Sequence, residues 1–423
     1  MKSSDDRYGS LVGELFRKHP SVQTAGFGSG AYKPGLDGMR RFASSLGNPE
    51  NGFRSIHVAG TNGKGSVSSM LASNLAASGL RVGLYTSPHL VDFRERIKTV
   101  SGTSFSLIPR EEVLEFLESV GTEGLSFFEI TTGMAFRWFA RQKVDVAVIE
   151  VGLGGRLDST NIIVPELSVV TSIGLDHCAM LGNTRAEIAA EKAGIFKTGV
   201  PALVASRDDE TGPVFENAAA SVHCPLFFAD EEYPCPLPEG LVSSLDLKGP
   251  CQKMNVRTVL AALSLLGAAP DYEALKHTAL VTGLRGRWER LHSDPEVICD
   301  IGHNPQALEL NFRRLEESGR PLVIVYGVMA DKDLDGISEF MPSGAEYVLA
   351  SPDTERALPV EKLAARLSGL RPDLHTRVSS SVSDAVEQAL SLAASMDNPL
   401  VYIGGSTFVV SEAIGKFAIF AGV

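Results

Sequence analysis

The feature that most constrains this chain is a glycine-rich segment between a short apolar run and a stretch with helical periodicity. Residues 56–59 are typical of a buried strand, and apolar residues over 67–75 recur with the spacing of one helix face. The segment between them reads Gly60-Thr61-Asn62-Gly63-Lys64-Gly65-Ser66. Glycines let a backbone turn tightly with its N–H groups directed at an anion, and the following helix directs its positive end to the same place. The pattern predicts a phosphate-binding loop.

The loop differs from the general P-loop pattern at two positions. Val58 stands where the first glycine belongs, and Gly65 follows the lysine where Ser or Thr is usual. Lys64 is placed to add a point charge at the β- and γ-phosphates, and the plain alternative is a strand-to-helix turn with an exposed lysine. The chain has no Asn-Lys-x-Asp segment of the kind that reads guanine, so ATP is the expected nucleotide.

Further short apolar runs follow, and segments with helical periodicity separate them. Strands are predicted at 81–85, 144–150 and 167–173. Near-continuous apolar strands that alternate with helices indicate an α/β fold, in which helices cover both faces of a parallel sheet. The proline-rich stretch 224–250 departs from this pattern, and we expect loops and short antiparallel strands there, followed by a helix over about 253–266.

A second alternation begins after a candidate hinge at Gly283 and Gly286, which interrupt the helical pattern. The new apolar runs predict strands at 296–301, 321–327, 345–350, 374–378 and 399–403. A chain of 423 residues is also too long for one compact core. We therefore predict a P-loop parallel-sheet ATPase domain over 1–283, followed by a smaller Rossmann-like α/β domain over 284–423.

The composition argues against several classes of protein. The formal net charge is −12, and an acidic chain is a poor candidate for general binding of nucleic acids or anionic membranes. The chain has no apolar run of about 18 residues and no apolar signal core at its start, and its five cysteines form no Cys-x-x-Cys pair. We expect a cytoplasmic protein that has no disulfide framework, no nucleic-acid partner and no membrane span.

Polar residues follow the predicted strands at the edge where open α/β sheets bind ligands. Glu150 ends one strand, and Ser87 and His177 come shortly after two others. A carboxylate and a hydroxyl at this edge, beside a phosphate loop, are placed to hold Mg²⁺ on a triphosphate. The plain alternatives are an acid that caps a turn and a histidine that is satisfied within its loop. Lys192, in a helix opened by a capping box at Thr184, reads by itself as a solvated residue.

Eight segments spread over both predicted domains carry a further signal. They lie at 57–66, 85–90, 127–132, 150–161, 175–177, 191–197, 286–289 and 300–305. Taken together and in this order, they resemble the folylpolyglutamate synthase/dihydrofolate synthase family of the Mur ligase superfamily. The resemblance covers most of the chain and implies that the enzyme uses ATP and Mg²⁺.

The resemblance implies roles at the nucleotide. The residues expected around the ATP phosphates are Thr61, Asn62, Gly63, Lys64, Gly65 and Ser66, and those expected elsewhere on the nucleotide are Asn255, Arg287 and Asp300. The expected ligands of two Mg²⁺ ions are Ser87, Glu150 and His177. Lys192 is expected to carry a carbamate, formed with CO₂, that helps to position the second ion. Carbamate formation requires a neutral amine, which a partly desolvated lysine can supply.

The resemblance also implies two substrate sites. The residues expected at the pterin are Ser126, Phe127, Phe128, Glu129 and Asp158, with Gly35 and Leu36 on a loop over them. Those expected on the glutamate side are His303 and Ser406. Of all these residues, Lys64, Lys192 and His303 are expected to take part in the chemistry.

The implied activity is ATP-dependent ligation of L-glutamate. The carboxylate of dihydropteroate or a tetrahydrofolate becomes an acyl phosphate, which the amino group of glutamate attacks. Residues 35–42 and 46–49 are similar to a segment of bacterial bifunctional members, so we expect both activities, in a monomer.

Two alternatives stay open. The first is a ligase for UDP-muramyl substrates, and only about 55 residues before the first strand argue against it. The second is a non-catalytic protein that binds ATP, and the presence of the metal-site residues and of Lys192 argues against that.

Overall fold

The computed structural model describes residues 4–19, 35–233 and 236–420, which form two compact units. The first unit runs to Asp246 and resumes over Gln252–Leu284. The second unit holds the short segment Leu247–Cys251 and continues from Arg285. No helix in the described ranges combines the length and the apolar character that a membrane crossing needs.

An eight-stranded sheet forms the centre of the first unit. In chain order its strands are β1 (Arg54–Ala59), β2 (Val82–Tyr85), β3 (Ile97–Ser101), β4 (Ser104–Leu107), β5 (Val146–Glu150), β6 (Leu167–Val170), β7 (Ala202–Val204) and β8 (Leu226–Phe228). Their order across the sheet is β4-β3-β2-β5-β1-β6-β7-β8. The β2–β3 and β3–β4 pairings are antiparallel and the others are parallel. The carboxyl ends of β1, β2, β5 and β6 therefore meet at one edge.

Helices cover both faces of this sheet. In chain order they are α1 (Ser4–Lys18), α2 (Asp37–Ser45), α3 (Lys64–Ala77), α4 (Arg110–Ser119), α5 (Phe127–Gln142), α6 (Cys178–Leu181), α7 (Arg185–Ala193), α8 (Gly212–Ser221), α9 (Ala229–Glu232), α10 (Leu241–Ser244), α11 (Gln252–Leu265), α12 (Tyr272–Lys276) and α13 (Thr278–Thr282). Short 3₁₀ helices span Pro49–Gly52, Phe93–Arg96 and Ser159–Ile162. Helix α3 is buried along most of its length because it packs between the sheet and α11–α13.

Local sequence explains where these elements begin and why the central strands are apolar. β5 is buried at every position, and β1 at every position after Arg54, because helices pack on both of their faces. Helix α5 begins with a capping box formed by Ser126 and Glu129, and α7 begins with the predicted box of Thr184 and Glu187. These caps satisfy N–H groups that have no partner within the helix.

The second unit is built on a six-stranded sheet. Its strands are β9 (Glu289–Ser293), β10 (Glu296–Cys299), β11 (Leu322–Tyr326), β12 (Glu346–Leu349), β13 (His375–Val378) and β14 (Leu400–Gly404), in the order β13-β12-β11-β14-β10-β9. Only β9 is antiparallel to its neighbour. The helices are α14 (Pro305–Glu317), α15 (Leu334–Ser338), α16 (Val360–Leu370), α17 (Val382–Ala393) and α18 (Thr407–Phe420).

The structure confirms the predicted α/β class and the strands predicted on either side of the candidate hinge. The prediction of antiparallel strands within 224–250 was wrong. β8 pairs parallel with β7, and the rest of the described stretch holds the short helices α9 and α10. Prolines there interrupt long elements without reversing the strand. Strand β9 was not predicted because its sequence, ERLHS, has a single apolar residue and so shows no alternation of apolar and polar residues.

The core of the second unit predicts a large cost for truncating Phe312. Its ring is fully buried on α14 between Tyr326 and Tyr402, with ring centroids 6.4 and 6.3 Å apart. Replacing Phe312 with Ala should lower the free energy of unfolding of this unit by about 3–5 kcal/mol. Urea unfolding followed by circular dichroism measures the change. Val378→Ala is the control, since Val378 is about half exposed on β13. Equal midpoints for the two variants would contradict this account of the core.

Candidate active site

The predicted phosphate loop leads from β1 into α3, and two of its glycines are required by their surroundings. Gly60 has φ +148°, and a Cβ there would lie 1.8 Å from Thr171 Oγ1. Gly63 has φ +91°, and a Cβ there would lie 2.5 Å from Asn255 Oδ1. Any side chain at either position would enter space that a neighbour fills. The close approach also brings Asn255, which was predicted to contact the nucleotide, against the loop.

Hydrogen bonds from the end of β6 hold the loop in place. The N–H of Thr61 donates to Ser172 O at 2.7 Å, and its hydroxyl donates to Gly174 O at 3.1 Å. The hydroxyl of Thr171 donates to Asn62 O at 2.7 Å. The loop is thus tied to the neighbouring strand end at successive residues, which preorganises it for an anion.

Two lysines converge on one carbonyl of this loop. Nζ of Lys64 donates to Gly60 O at 3.1 Å and to Thr61 O at 3.2 Å, and Nζ of Lys192 donates to Gly60 O at 2.8 Å. Lys192 is only 3% exposed. Its burial, followed by the nearby charge of Lys64, lowers the pKa of Lys192 to about 7. The structure therefore places a lysine with a readily neutralised amine beside the phosphate loop, where the sequence pattern alone indicated a solvated residue.

Close backbone contacts hold the end of α7, and with it Lys192, against the loop that follows β5. A Cβ on Gly155 would lie 2.8 Å from Glu191 O and 2.9 Å from Lys192 O. A Cβ on Gly194 would lie 2.3 Å from Arg156 Cβ. The N–H of Arg156 donates to Glu191 O at 2.8 Å. We call this contact between residues 155–156 and 191–194 the glycine clamp.

The expected metal ligands Ser87 and Glu150 lie together at the sheet edge. β2 and β5 are neighbours, so the residues that follow them meet, and the N–H of Ser87 donates to Glu150 Oε2 at 3.0 Å. Glu150 is 3% exposed. His177 lies in the loop after β6 with φ +54°, and its backbone N–H donates to Asp176 Oδ1 at 2.9 Å. Asp176 in turn raises the pKa of the neighbouring Lys192 against the larger effect of burial.

The chemistry of these donors fits Mg²⁺. Among residues 4–19, 35–233 and 236–420, no three or more His, Cys, Asp and Glu side chains are grouped so as to hold a metal ion by themselves. Magnesium is commonly held by one or two carboxylates together with substrate phosphates. A buried carboxylate and a hydroxyl at the edge of a phosphate loop are donors of that kind.

The predicted pterin residues at 126–129 begin α5. Glu129 accepts hydrogen bonds from the N–H and hydroxyl of Ser126 at 2.7 and 2.9 Å, so much of its carboxylate serves the helix cap. Phe127 is buried, with its ring stacked 4.7 Å from that of Phe16. The ring of Phe128 lies over Gly152, where a Cβ would approach it to 2.4 Å. Phe128 therefore reaches the loop after Glu150, whereas Phe127 belongs to the core.

Asp158 is saturated by donors from its own loop. Its carboxylate accepts from the N–H groups of Leu153 and Thr160 at 2.9 and 3.0 Å and from the hydroxyl of Thr160. Burial raises the pKa of Asp158, and these hydrogen bonds oppose that shift. Gly35, with φ +119°, and Leu36 stand directly before α2.

His57 is a buried residue whose structural role the sequence analysis did not predict. Its Nε2 lies 2.8 Å from Thr160 Oγ1. Because that hydroxyl gives its one proton to Asp158, Nε2 of His57 is the donor. Burial lowers the pKa of His57 to about 3, so the ring is neutral. In the sequence, His57 stands within an apolar strand next to the glycine-rich loop, and no nearby residue indicates its hydrogen bond to Thr160.

Arg96 is a second residue that the sequence analysis missed. Its buried guanidinium donates to His89 Nδ1 at 2.8 Å and lies 5.2 Å from the ring centroid of Phe127. Burial lowers the pKa of Arg96, and Glu150 is among the acids that oppose this shift. The available signal was the run of three charged residues at 94–96, directly before β3.

In the second unit, Asp300 organises the segment that carries Arg287. Asp300 Oδ2 accepts from the N–H of Trp288 at 2.9 Å, and Oδ1 accepts from the N–H of Gly302 and from Asn311 Nδ2, both at 2.8 Å. Trp288 has φ +52°, which a non-glycine residue rarely adopts. The carboxylate therefore fixes the backbone next to Arg287.

The two residues expected on the glutamate side follow β10 and β14. His303 Nδ1 donates to Ile301 O at 3.0 Å, and Ser406 Oγ accepts from the N–H of Val409 at 3.2 Å at the start of α18. Between them in sequence, the side chain of Asn304 caps α14 by accepting from the N–H of Ala307. Both strands belong to the parallel part of the sheet, so the two residues stand at its carboxyl edge.

Comparison with known families matches both parts of the chain. Residues 58–232 match the Mur ligase middle domain, and residues 286–407 match the Mur ligase glutamate ligase domain. A dihydrofolate synthase/folylpolyglutamate synthase of Bacillus subtilis is 34% identical over 419 residues, which cover 90% of this chain and 94% of the relative. The chain belongs to the folylpolyglutamate synthase/dihydrofolate synthase family. The resemblance seen in the sequence is thereby confirmed, as is the place of this family among proteins with Mur ligase domains.

Some relatives are much longer than this chain. A probable bifunctional folylpolyglutamate synthase/dihydropteroate synthase of Haloferax volcanii is 34% identical over 417 residues, which cover 90% of this chain. The match covers only 48% of that relative, so the chain spans about half the length of the first curated relatives it matches.

Solved structures agree with the fold and show what related proteins bind. Escherichia coli FolC in complex with DHPP and ADP has a TM-score of 0.83 and 29% identity, over 100% of both chains. A bifunctional folylpolyglutamate synthase/dihydrofolate synthase of Yersinia pestis, complexed with AMPPNP and Mn ion, has a TM-score of 0.81 and 28% identity, over 98% of this chain and 99% of that one. These relatives bind a nucleotide and, in the second case, a divalent metal.

The glycine clamp predicts that adding a single methyl group at residue 155 destabilises the fold. Gly155→Ala should lower the free energy of unfolding by about 1–3 kcal/mol, because the added Cβ meets two backbone carbonyls that cannot rotate away. Gly121→Ala is the matched control, since a Cβ there meets nothing within 4 Å. Urea unfolding monitored by fluorescence measures both variants. Equal stability of the two would contradict the clamp.

Proposed function

We propose that this protein is a bifunctional ligase that adds L-glutamate to dihydropteroate and to tetrahydrofolates, with cleavage of ATP to ADP and phosphate. The observation that carries the proposal is the convergence of Lys64 and the buried Lys192 on the phosphate loop, next to Glu150 at the same sheet edge. A loop of this kind binds phosphate through its N–H groups, and Lys64 adds a positive charge. Family membership supplies the class of reaction.

In the first step, an oxygen of the substrate carboxylate attacks the γ-phosphorus of ATP, the bond to the β-phosphate oxygen breaks, and ADP leaves. The product is an acyl phosphate. The neutral amino group of glutamate then attacks the acyl carbon, loses a proton, and displaces inorganic phosphate to form the amide. The protein contributes alignment and charge neutralisation, which dominate phosphoryl transfer. We assign this role in the first unit to the loop N–H groups and Lys64.

Ser87, Glu150 and His177 are proposed to hold two Mg²⁺ ions together with the phosphates. When bound, Mg²⁺ would neutralise part of the triphosphate charge and that of the departing phosphate. Glu150 suits this role because it is buried at the strand end, with one oxygen already oriented by the N–H of Ser87. A site completed by the nucleotide agrees with the finding that, in the described part of the chain, no group of three or more His, Cys, Asp and Glu side chains could hold a metal ion.

Lys192 is proposed to carry a carbamate. Its amine has a pKa of about 7, so a large fraction is neutral at physiological pH and can attack CO₂ with loss of a proton. The product is an anionic oxygen donor, which magnesium prefers to an ammonium group. Asp176 and Asp158 are the acids nearest in electrostatic effect, and they hold the pKa of Lys192 from falling further.

The other predicted residues keep their proposed roles. The domain over 1–283 is proposed to bind ATP, through the loop and Asn255, and the pterin, through Gly35, Leu36, Asp158 and residues 126–129. The domain over 284–423 is proposed to supply Arg287 and Asp300 to the nucleotide and His303 and Ser406 to glutamate. Since Asp300 holds the backbone beside Arg287, its effect on the nucleotide is expected to act partly through that arginine. The cytoplasmic location and the monomeric state stay predictions.

The proposed function is tested by measuring ATP-dependent glutamate addition to dihydropteroate and to tetrahydrofolate side by side. Both products should form, and phosphate release should require both the pterin substrate and glutamate. Activity with only one of the two substrates would reduce the proposal to a monofunctional enzyme. Phosphate release that is independent of glutamate would refute ligation.

The proposed metal site predicts that Glu150→Gln nearly abolishes turnover. Loss of the charged ligand should lower kcat by about 10²-fold or more, because the neutral amide binds magnesium poorly. The variant should keep its fold, since an amide oxygen can still accept from the N–H of Ser87. Glu239→Gln, at an exposed position, is the control. If the variant kept wild-type turnover and an unchanged melting curve, Glu150 would not be a ligand of the catalytic metal.

The proposed carbamate predicts that Lys192→Ala is impaired by roughly 10²-fold or more. Short carboxylic acids such as acetate should restore part of the activity, because they place an oxygen anion in the vacated space. Lys362→Ala, at an exposed position, should be unaffected with or without acetate. Full activity of Lys192→Ala would refute the catalytic role of this lysine. Electron density that stops at the amine, in crystals grown with bicarbonate and nucleotide, would refute the carbamate.

A further inference from the structure

Lys98 is a buried lysine that the proposed reaction does not use. It lies on β3 and is only 3% exposed. Its Nζ donates to Thr282 O at 2.8 Å and to Gly283 O at 3.3 Å, at the end of α13. Carbonyls at a helix end have no partner within the helix, so the ammonium satisfies both. Placing an ammonium group in the interior is unfavourable, and packing alone therefore does not account for a lysine at this position.

The contacts around Lys98 hold Gly283 from two sides. The ring centroid of Phe105, on β4, lies 5.6 Å from Nζ of Lys98. Gly283 has φ +64°, and a Cβ there would lie 2.4 Å from the same ring. Burial lowers the pKa of Lys98 to about 8, against the opposing effect of Glu95 and Glu150, so the amine is mostly charged at neutral pH. We call Lys98, Phe105 and Gly283 the exit anchor.

The exit anchor stands one residue before the chain leaves the first unit. Leu284 is the last residue of that unit, and Arg285 begins the main part of the second. In the second unit, Arg285 Nε donates to Glu289 Oε1 at 2.8 Å, and the N–H of Gly286 donates to Glu289 Oε2 at 2.7 Å. The backbone is thus tied within the first unit up to Gly283 and within the second from Arg285. Leu284 lies between the two sets of ties.

Asp246, where the chain first leaves the first unit, is bonded to α12 and to α13. The N–H of Asp246 donates to Lys276 O at 2.8 Å, and Asp246 Oδ2 accepts from the N–H of Leu280 at 3.0 Å. Helix α13 packs against α3, the helix that begins at Lys64. Asp246 and Gly283, at which the chain leaves the first unit, are therefore both linked through α13 to the helix that follows the phosphate loop.

We propose that Lys98 is a positioning residue that fixes the direction in which the chain leaves the first unit. It holds Gly283 at the end of α13, so that Leu284 is the first residue beyond the bonds of the first unit. The proposed reaction uses ATP in the first unit and Arg287 and His303 in the second, so turnover depends on where the chain leads from Leu284. This catalytic consequence rests on the proposed function, whereas the anchoring does not.

The experiment compares four variants of the full chain. Lys98→Met keeps the length of the side chain but removes the donors, and Lys98→Arg restores a cationic donor. Gly283→Ala disturbs the exit anchor from its other side, through the contact with Phe105. Lys362→Met, at an exposed position, is the matched control. Hydrogen exchange measured by mass spectrometry reports on residues 278–284, and steady-state kinetics reports kcat and the KM values for ATP and the pterin.

The proposal predicts a specific pattern. Lys98→Met and Gly283→Ala should speed hydrogen exchange over 278–284. Each should also lower kcat by roughly tenfold, because a distant change that displaces the reacting groups slows the reaction. Both KM values should stay within about twofold, since neither residue touches a substrate. Lys98→Arg should recover most of the rate.

Faster exchange with unchanged kcat would overturn the positioning role, and unchanged exchange would overturn the anchor itself. If Lys98→Met does not fold, Gly283→Ala decides by the same readouts. Failure of both to fold would assign the exit anchor to stability alone and overturn the proposal. A wild-type protein without ligase activity would refute the proposed function and the catalytic part of this inference, and exchange over 278–284 would still decide the anchoring.

Discussion

The close approach of the loop after β5 to the end of α7 is the constraint on which the rest of the candidate site depends. Backbone meets backbone at Gly155 and Gly194, where any side chain would overlap its neighbours. This contact sets the depth at which Lys192 lies, and so brings its amine to Gly60 O. The phosphate loop, the strand-end acid Glu150 and Lys192 come from three separate segments of the chain. Their meeting at one edge follows from the strand order of the sheet and from this one contact.

Electrostatics then gives these neighbours distinct properties. Lys64 and Lys192 donate to the same carbonyl, yet only Lys192 is fully enclosed, and its pKa falls to about 7. Two charged ammonium groups this close repel each other, and burial adds to the cost of keeping the second one charged. In the proposed reaction the two lysines therefore serve two purposes: Lys64 contacts phosphate, and Lys192 supplies an amine that is partly neutral at neutral pH. A polyanionic ligand would shift this balance when it binds.

Local patterns allowed much of the fold to be predicted. The strand, loop and helix around Gly60 carry their own signals, as do the capping box at Thr184 and the cap at Asn304, because these structures depend on residues close in sequence. The parallel pairing of β8 and the exposed strand β9 depend on partners elsewhere in the chain, so the first was predicted wrongly and the second was not predicted.

The candidate site shows the same division. The family resemblance assigned residues to the candidate site but gave no information on the environment of each residue. Asp158 is saturated by its own loop and Phe127 is enclosed in the core, and no pattern of neighbours indicated either. The burial of Lys98 and its bonds to Thr282 and Gly283 join segments nearly two hundred residues apart, so only the folded structure reveals them.

The central claim is that the substrate carboxylate itself accepts the phosphoryl group at this site. The most direct measurement uses dihydropteroate labelled with ¹⁸O in its carboxylate, together with ATP and glutamate, and follows the label in the released phosphate by mass spectrometry. An acyl phosphate requires that one labelled oxygen leaves with each phosphate, in step with amide formation. Unlabelled phosphate, released while the amide forms, would contradict the account.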